Sequence, residues 1–159
     1  AWYGLGCYYD AMERFEEALS YFNRAVVLSP ETPDFWHAKA DCAYNLGRLP
    51  EAANAYRTVV KVAPKNRESW MDFAETLFES GAVEEALNAY KTALSLKPDC
   101  AQTYFHQAKA LFALGQPEES IRSLKMAFRL DPAQLEEFPR AYPELFRDKD
   151  IRRMLDLDN

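Results

Sequence analysis

Two histidines and three cysteines are all that 159 residues offer in imidazole and thiol chemistry. Cys7, Cys42 and Cys100 are odd in number and far apart. That pattern excludes a disulfide framework and points to a reducing, cytoplasmic compartment. It also contains no zinc spacing. A glycine-rich phosphate loop is missing, and no serine sits in a nucleophile elbow. No apolar run approaches the roughly 18 residues needed to span a bilayer. No signal peptide is visible, and the chain opens AWYG without a Met, compatible with a fragment of a longer protein. Basic charge is short as well: 19 Lys and Arg face 25 Asp and Glu, a net charge of -6. Such a chain repels phosphate, which argues against nucleic acid and anionic membranes as partners.

What is present is one domain's length of chain with 48% apolar residues, enough to fold by burying a core. It is written in repeats. Pro30, Pro64, Pro98 and Pro132 are 34 residues apart each time, and Gly47, Gly81 and Gly115 keep the same interval. So do Trp2, Trp36, Trp70 and Tyr104. Small residues form two further columns: Gly6, Ala40, Ala74 and Ala108, and Ala18, Ala52, Ala86 and Ser120. A last column reads Phe22, Tyr56, Tyr90 and Leu124. Each unit reads as two helices. In the third, Trp70, Phe73, Ala74 and Leu77 recur at helical steps, and Gly81 supplies the positive φ of a helix end. Val83, Ala86, Leu87, Tyr90, Ala93 and Leu94 resume the period until Pro98 stops it. The small columns let two helix backbones approach closely, and the aromatic columns fill the wider gaps between units.

This period and these columns resemble the tetratricopeptide repeat over Ala1 to Pro132. The resemblance implies an all-α, right-handed superhelical solenoid of four two-helix repeats, near residues 1–32, 33–66, 67–100 and 101–134. Residues 133–159 form a C-terminal capping segment. Departures are local. Glu13 stands where the other units have glycine, so the first turn is expected to be strained or shaped differently. Lys39 and Gln107 replace the apolar residues Leu5 and Phe73. Past Pro132 the spacing predicts a short helix near Ala133–Phe138, an extended link through Pro143, and a last helix from about Asp148 to Leu157. Ile151, Met154 and Leu155 give that helix an apolar stripe, with Arg147, Lys149, Arg152 and Arg153 outward, as a solenoid end requires. At the other end AWYGLGCYYDAM is apolar nearly all round. Such a helix is normally buried, so Trp2, Tyr8 and Tyr9 mark an edge that self-association or further chain would cover.

Catalytic chemistry finds little support. His37 and His106 lie two units apart, on the order of 20 Å at 8–10 Å per packed helix, too far to share a metal. Each reads as a lone surface or groove histidine. The cysteines read as buried and inert. Glu16–Glu17, Glu84–Glu85 and Glu118–Glu119 recur at 34 residues or its multiples at the starts of second helices, where negative charge favours the dipole. No catalytic residue, metal or cofactor is expected.

By the same resemblance the first helix of each unit lines a concave face. Its residues are Tyr3, Gly4, Cys7, Asp10 and Ala11, then Asp34, His37, Ala38, Asp41, Tyr44 and Asn45. The third unit gives Glu68, Met71, Asp72, Glu75, Phe78 and Glu79, and the fourth Gln102, Phe105, His106, Lys109, Phe112 and Ala113. Seven are acidic and one basic, with aromatics between, the make-up of a groove for a basic or apolar peptide. The family's chaperone-binding subgroup grips a terminal carboxylate with Lys, Asn and Arg. Here those places hold Tyr3, Cys7, Ala38, Glu68 and Asp72, so no such clamp is expected. The implied function is a non-enzymatic protein–protein interaction module, a scaffold or adaptor. The alternative is a regulatory or targeting domain of a larger, possibly enzymatic, protein.

Overall fold

The computed structural model describes residues 1–147 and 149–155, and it is helical throughout these apart from the turns. Four helix pairs follow one another: α1 (Trp2–Asp10) with α2 (Phe15–Leu28), α3 (Pro33–Asn45) with α4 (Leu49–Val62), α5 (Arg67–Glu79) with α6 (Val83–Leu96), and α7 (Ala101–Ala113) with α8 (Pro117–Leu130). Three shorter helices close the sequence: α9 (Ala133–Ala141), α10 (Pro143–Arg147) and α11 (Lys149–Met154). The chain forms two compact units, Ala1–Ala89 and Tyr90–Asn159.

Each helix pair turns by the same device. After α3, the Gly47 amide bonds Tyr44 O and the Arg48 amide reaches back to Ala43 O at 2.9 Å. Gly81 with Ala82 and Gly115 with Gln116 repeat the pattern. These are the bonds of a helix end finished by a left-handed residue, and the three glycines have φ of 72°, 86° and 70°. Glu13 adopts φ 57° in the first pair and makes the same two bonds, to Asp10 O and, through the Arg14 amide, to Tyr9 O. The strain expected from the sequence is therefore present. A side chain in this region costs about 1–2 kcal/mol, and glycine gives back part of that in chain entropy. Glu13→Gly should stabilise the protein by about 0.5–1 kcal/mol, read as a higher urea midpoint. A lower midpoint would show that the Glu13 side chain makes a stabilising contribution larger than the strain.

The small columns sit where helices touch. Ala18, Ala40, Ala52, Ala74 and Ala86 are wholly buried. A Cβ on Gly6 would lie 2.4 Å from the Phe22 ring. In the fourth pair the Ser120 hydroxyl donates to Ala108 O at 2.8 Å, directly across the two helices. The inner aromatic column fills the core as expected, with Phe22, Tyr56, Tyr90 and Leu124 all buried. The tryptophan column does something else. Trp36 Nε1 donates to Pro30 O at 2.7 Å, and Trp70 Nε1 to Pro64 O at 2.9 Å. The proline-to-tryptophan spacing of six is thus a hydrogen bond that closes the joint before a first helix, made by half-buried indoles rather than by core fillers.

In the second unit Phe105, Ile121, Leu124, Phe138, Tyr142 and Leu155 form one core. Two prolines behave differently from the sequence reading. Pro139 lies inside α9, because wholly buried Phe138 and buried Tyr142 on either side anchor the helix past the lost amide. Pro143 starts α10 instead of holding an extended link, since a missing amide costs nothing at the first helical position. Of the expected last helix, Lys149–Met154 is helical and Leu155 lies in a turn, while Asp148 and residues 156–157 lie outside the described residues. Leu155 is buried and Ile151 packs on the core, but Met154 is exposed. Arg152 lies over the Phe146 ring at 5.0 Å rather than pointing away. Leu5, expected to supply apolar packing, is exposed, while buried Gln107 is satisfied by the Ser123 hydroxyl at 3.0 Å.

Candidate functional site

On the first unit, α1, α3 and α5 bring most of the acidic residues singled out from the sequence to one region. His37 organises it. Its Nδ1 meets Asp41 Oδ2 at 3.1 Å, one helical turn on, which fixes the ring's tilt on α3. Its Nε2 meets Asp72 Oδ2 of α5 at 2.9 Å. Tyr56 of α4 donates its hydroxyl to the other oxygen of Asp41 and presents its ring edge to the imidazole at 5.4 Å. Two carboxylates hold the imidazolium, so the His37 pKa rises from 6.5 to about 10. Burial and then Asp41 keep the Tyr56 phenol protonated. His37 is therefore no lone histidine. It is a cation at neutral pH that bridges two helices, and it is not free to act as a base.

One further link has the same reach. Tyr44 of α3 donates to the carboxylate of Glu79 of α5 at 2.7 and 2.8 Å. The Glu79 partner and then burial push the phenol up to about 12. Both links join residues 35 apart, one step beyond the repeat period. Tyr44, Tyr56, Asp72, Glu75 and Thr76 surround a small hollow of about 130 Å³. Arg67 pairs with Glu68 at 2.8 Å. The negative face is thus partly neutralised from within, by His37 and Arg67. Asp34 stays exposed in the first turn of α3, and Asn45 at its end is exposed too. Burial, then the nearby Asp41, raises the Asp10 carboxyl.

The remaining residues divide. Tyr3 stacks on Phe35 at 4.6 Å and touches Phe22 at 5.9 Å, and burial followed by the Cys7 thiol raises its pKa. Cys7 is exposed, contrary to the expectation of inert buried thiols. Cys42 is buried, donates to Phe15 O at 2.9 Å, and is pushed up to about 12 chiefly by burial. Met71 is buried and belongs to the packing, whereas Phe78 is half-buried.

On the second unit, Gln102, Phe105, His106 and Lys109 of α7 line a cleft of about 730 Å³ with Lys97, Asp99, Leu130, Asp131, Gln134 and Tyr142. Phe105 is 8% exposed and forms part of the core, meeting the Tyr142 ring at 5.3 Å, while Tyr142 reaches Phe105 O at 3.3 Å. Burial and then Lys109 lower the His106 pKa. Phe112 is exposed, near the far end of α7.

The N-terminal helix and the turn after it leave Trp2, Leu5, Tyr8 and Met12 exposed. Tyr9 stacks on Tyr21 at 5.2 Å, and Arg24 lies over the Trp2 ring at 4.8 Å. Among the described residues no group of three or more His, Cys, Asp or Glu is arranged to hold a metal ion. None of their helices is long and apolar enough to cross a membrane.

A tetratricopeptide-repeat family model matches residues 3–67, a TPR-repeat model residues 74–115, and a second tetratricopeptide-repeat model residues 101–134. A comparison with curated proteins finds no match. Among solved structures, a crystal structure of YrrB, "a TPR protein with an unusual peptide-binding site", matches with a TM-score of 0.79 at 19% identity, covering 88% of this chain and 72% of that one. A crystal structure of MamA matches with a TM-score of 0.76 at 16% identity, covering 85% and 79%. At these identities the likeness is one of fold. With the repeat models spread along the sequence and the helix pairs built on the same columns, the chain belongs to the tetratricopeptide-repeat family, and its fold is that of a protein–protein interaction module.

Proposed function

We propose that the first-helix face of α1, α3 and α5 binds a basic or apolar segment of a partner protein, and that the chain serves as a scaffold or adaptor without chemistry of its own. Four two-helix repeats over residues 1–132 and a capping segment over 133–159 are the organisation this reading uses. The observation that carries it is the His37 bridge. A cation held between Asp41 and Asp72 fixes α3 against α5, near Glu75 and the Tyr44 phenol that bonds Glu79. Fixed carboxylates next to an aromatic ring suit a lysine or arginine side chain, whose stem rests on the ring while its head meets the charge. YrrB, a TPR protein of similar fold described as having a peptide-binding site, supports the same kind of use.

Charge reversal is best placed away from Asp72, because a lysine there would face the His37 cation. Glu75→Lys with Glu79→Lys should weaken a lysine-rich peptide by about tenfold, roughly 1.4 kcal/mol, in isothermal calorimetry. The melting temperature should move little, since exposed pairs contribute about 0–1 kcal/mol. Binding of the parent should weaken as salt rises above 0.1 M, where the screening length is about 10 Å. Affinity unchanged by both the substitutions and salt would rule this face out.

A further inference from the structure

The edge formed by α1 and α2 is not shaped like the joint between repeats. One, two and three periods after Tyr8 stand Cys42, Thr76 and Ala110, all small and buried. Cys42 shows why. Its thiol donates to Phe15 O of the preceding second helix at 2.9 Å, so a helix backbone closes on this position. Tyr8 puts a phenol there and is 59% exposed. On α2, Val27 is 78% exposed where the later units carry Lys61, Ser95 and Arg129, all polar and exposed. Leu28 is 69% exposed, against 39% for its equivalents Val62, Leu96 and Leu130. The edge therefore carries large apolar groups where a docking repeat needs a small one and where solvent favours a polar one.

These groups are continuous. Trp2, Leu5, Tyr8 and Met12 follow at three- and four-residue steps along one stripe. Trp2 stacks on Tyr21 at 5.9 Å, Tyr21 on Tyr9 at 5.2 Å, and Tyr9 meets Tyr8 edge-on at 5.5 Å. Trp2, Val27 and Leu28 line a groove of about 540 Å³ with Asn23 and Arg24, whose guanidinium is spread over the Trp2 and Tyr21 rings. We propose that this edge is the interface of a two-fold symmetric dimer: α1 of one copy lies antiparallel on α1 of the other, Leu5 and Tyr8 about the axis, and Trp2 of each copy toward Met12 of the other. Three observations select a second copy as the occupant. Tyr8 blocks the close approach that a further repeat would make. Asp10 is the one charged residue between Trp2 and Met12 and lies on the opposite side of α1 by helical spacing, so self-pairing opposes no like charges along the stripe. Trp2, Leu5, Tyr8, Met12, Val27 and Leu28 together expose roughly 700 Å², above the roughly 300–600 Å² of the largest patch on a typical monomer and close to the about 800 Å² that each partner gives a standard interface. Tyr, Trp, Met and Arg are also the residues enriched in interface cores. Because Tyr3, Cys7 and Asp10 face the other way on α1, the dimer goes beyond the peptide-binding reading and does not depend on it.

Sedimentation of the intact chain from about 1 to 300 µM should show a monomer–dimer equilibrium with a Kd of about 10 µM and no larger species. The melting temperature of the parent should rise with concentration, since only folded chains pair. Tyr8→Glu should weaken the dimer at least about 100-fold, because a carboxylate would enter the apolar seam from both copies. Val27→Lys gives the edge the residue of the second unit at a strongly exposed position, and should weaken the dimer about tenfold. Both variants should leave the monomer folded, read as an unshifted His37 ring resonance. A parent that stays monomeric at about 300 µM overturns the proposal and leaves the edge to another segment or protein. Assembly past the dimer also overturns it, because that requires a head-to-tail contact. So does a dimer that Tyr8→Glu and Val27→Lys both leave intact.

Discussion

Ala74→Leu should lower the melting temperature by roughly 6–12 °C, about 3 kcal/mol for a chain of this size. Ala74 has no exposed surface, and neither does Ala86, its counterpart in the facing column. Equivalent positions measure how little room there is. A single added carbon on Gly6 would meet the Phe22 ring at 2.4 Å, and Ser120 already bridges to the backbone of the opposite helix at 2.8 Å. Leucine adds three carbons at a place where one is barely accommodated. Neither helix can move apart without opening the packing of Phe73 and Leu77 on the same helix, both buried. Differential scanning calorimetry decides the matter, and a melting temperature within error of the parent would mean that α5 does not make its close contact through Ala74.

The second large effect is electrostatic and depends on pH. His37 is charged in the folded protein up to about pH 10, whereas an unfolded histidine loses its proton near 6.5. The folded pKa is the higher one, so the bridge contributes in full below pH 6.5, and the contribution is lost as pH rises toward 10. The side chains of His37, Asp41 and Asp72 are 34%, 48% and 39% exposed. Solvent screening therefore trims the contribution to roughly 1–2 kcal/mol. Urea unfolding of the parent should show that much loss between pH 6.5 and pH 10. His37→Ala should remove this slope and, at pH 7, cost about 2 kcal/mol, because Asp41 and Asp72 then face each other without a cation. An unchanged slope in the variant, or a His37 resonance titrating near pH 6.5, would contradict the bridge.

The repeat itself was legible because steric needs recur in register. A left-handed turn demands glycine, so the column of Gly47, Gly81 and Gly115 also exposed Glu13 as the strained exception. Close helix contact demands small residues, so the alanine columns mark the core from the spacing alone. The indole-to-proline bond lay within the observed six-residue spacing, but periodicity gives positions and not donors. Side-chain pairings between first helices were harder to see. Asp41 is one turn from His37 and was within view, but Asp72 is 35 residues away. Only a rule linking residue i to i+35 would have found it, and the same rule yields Tyr44 with Glu79. Reading charges along single helices gave a face of seven acids and one base. Reading them between helices shows acids compensated by His37 and Arg67. The C-terminal segment has no repeat to lean on, and there local proline rules lost to packing: Phe138 and Tyr142 hold α9 through Pro139.

The central claim is that a partner segment docks on the first-helix face of α3 and α5, organised by His37. Mapping amide and imidazole shifts as a lysine-rich peptide is titrated into the intact chain tests this most directly. The account predicts that the largest changes fall on His37, Tyr44, Asp72, Glu75 and Glu79. Changes centred instead on the outer surface of the second helices, at Arg24 of α2 or Arg57 of α4, would contradict it.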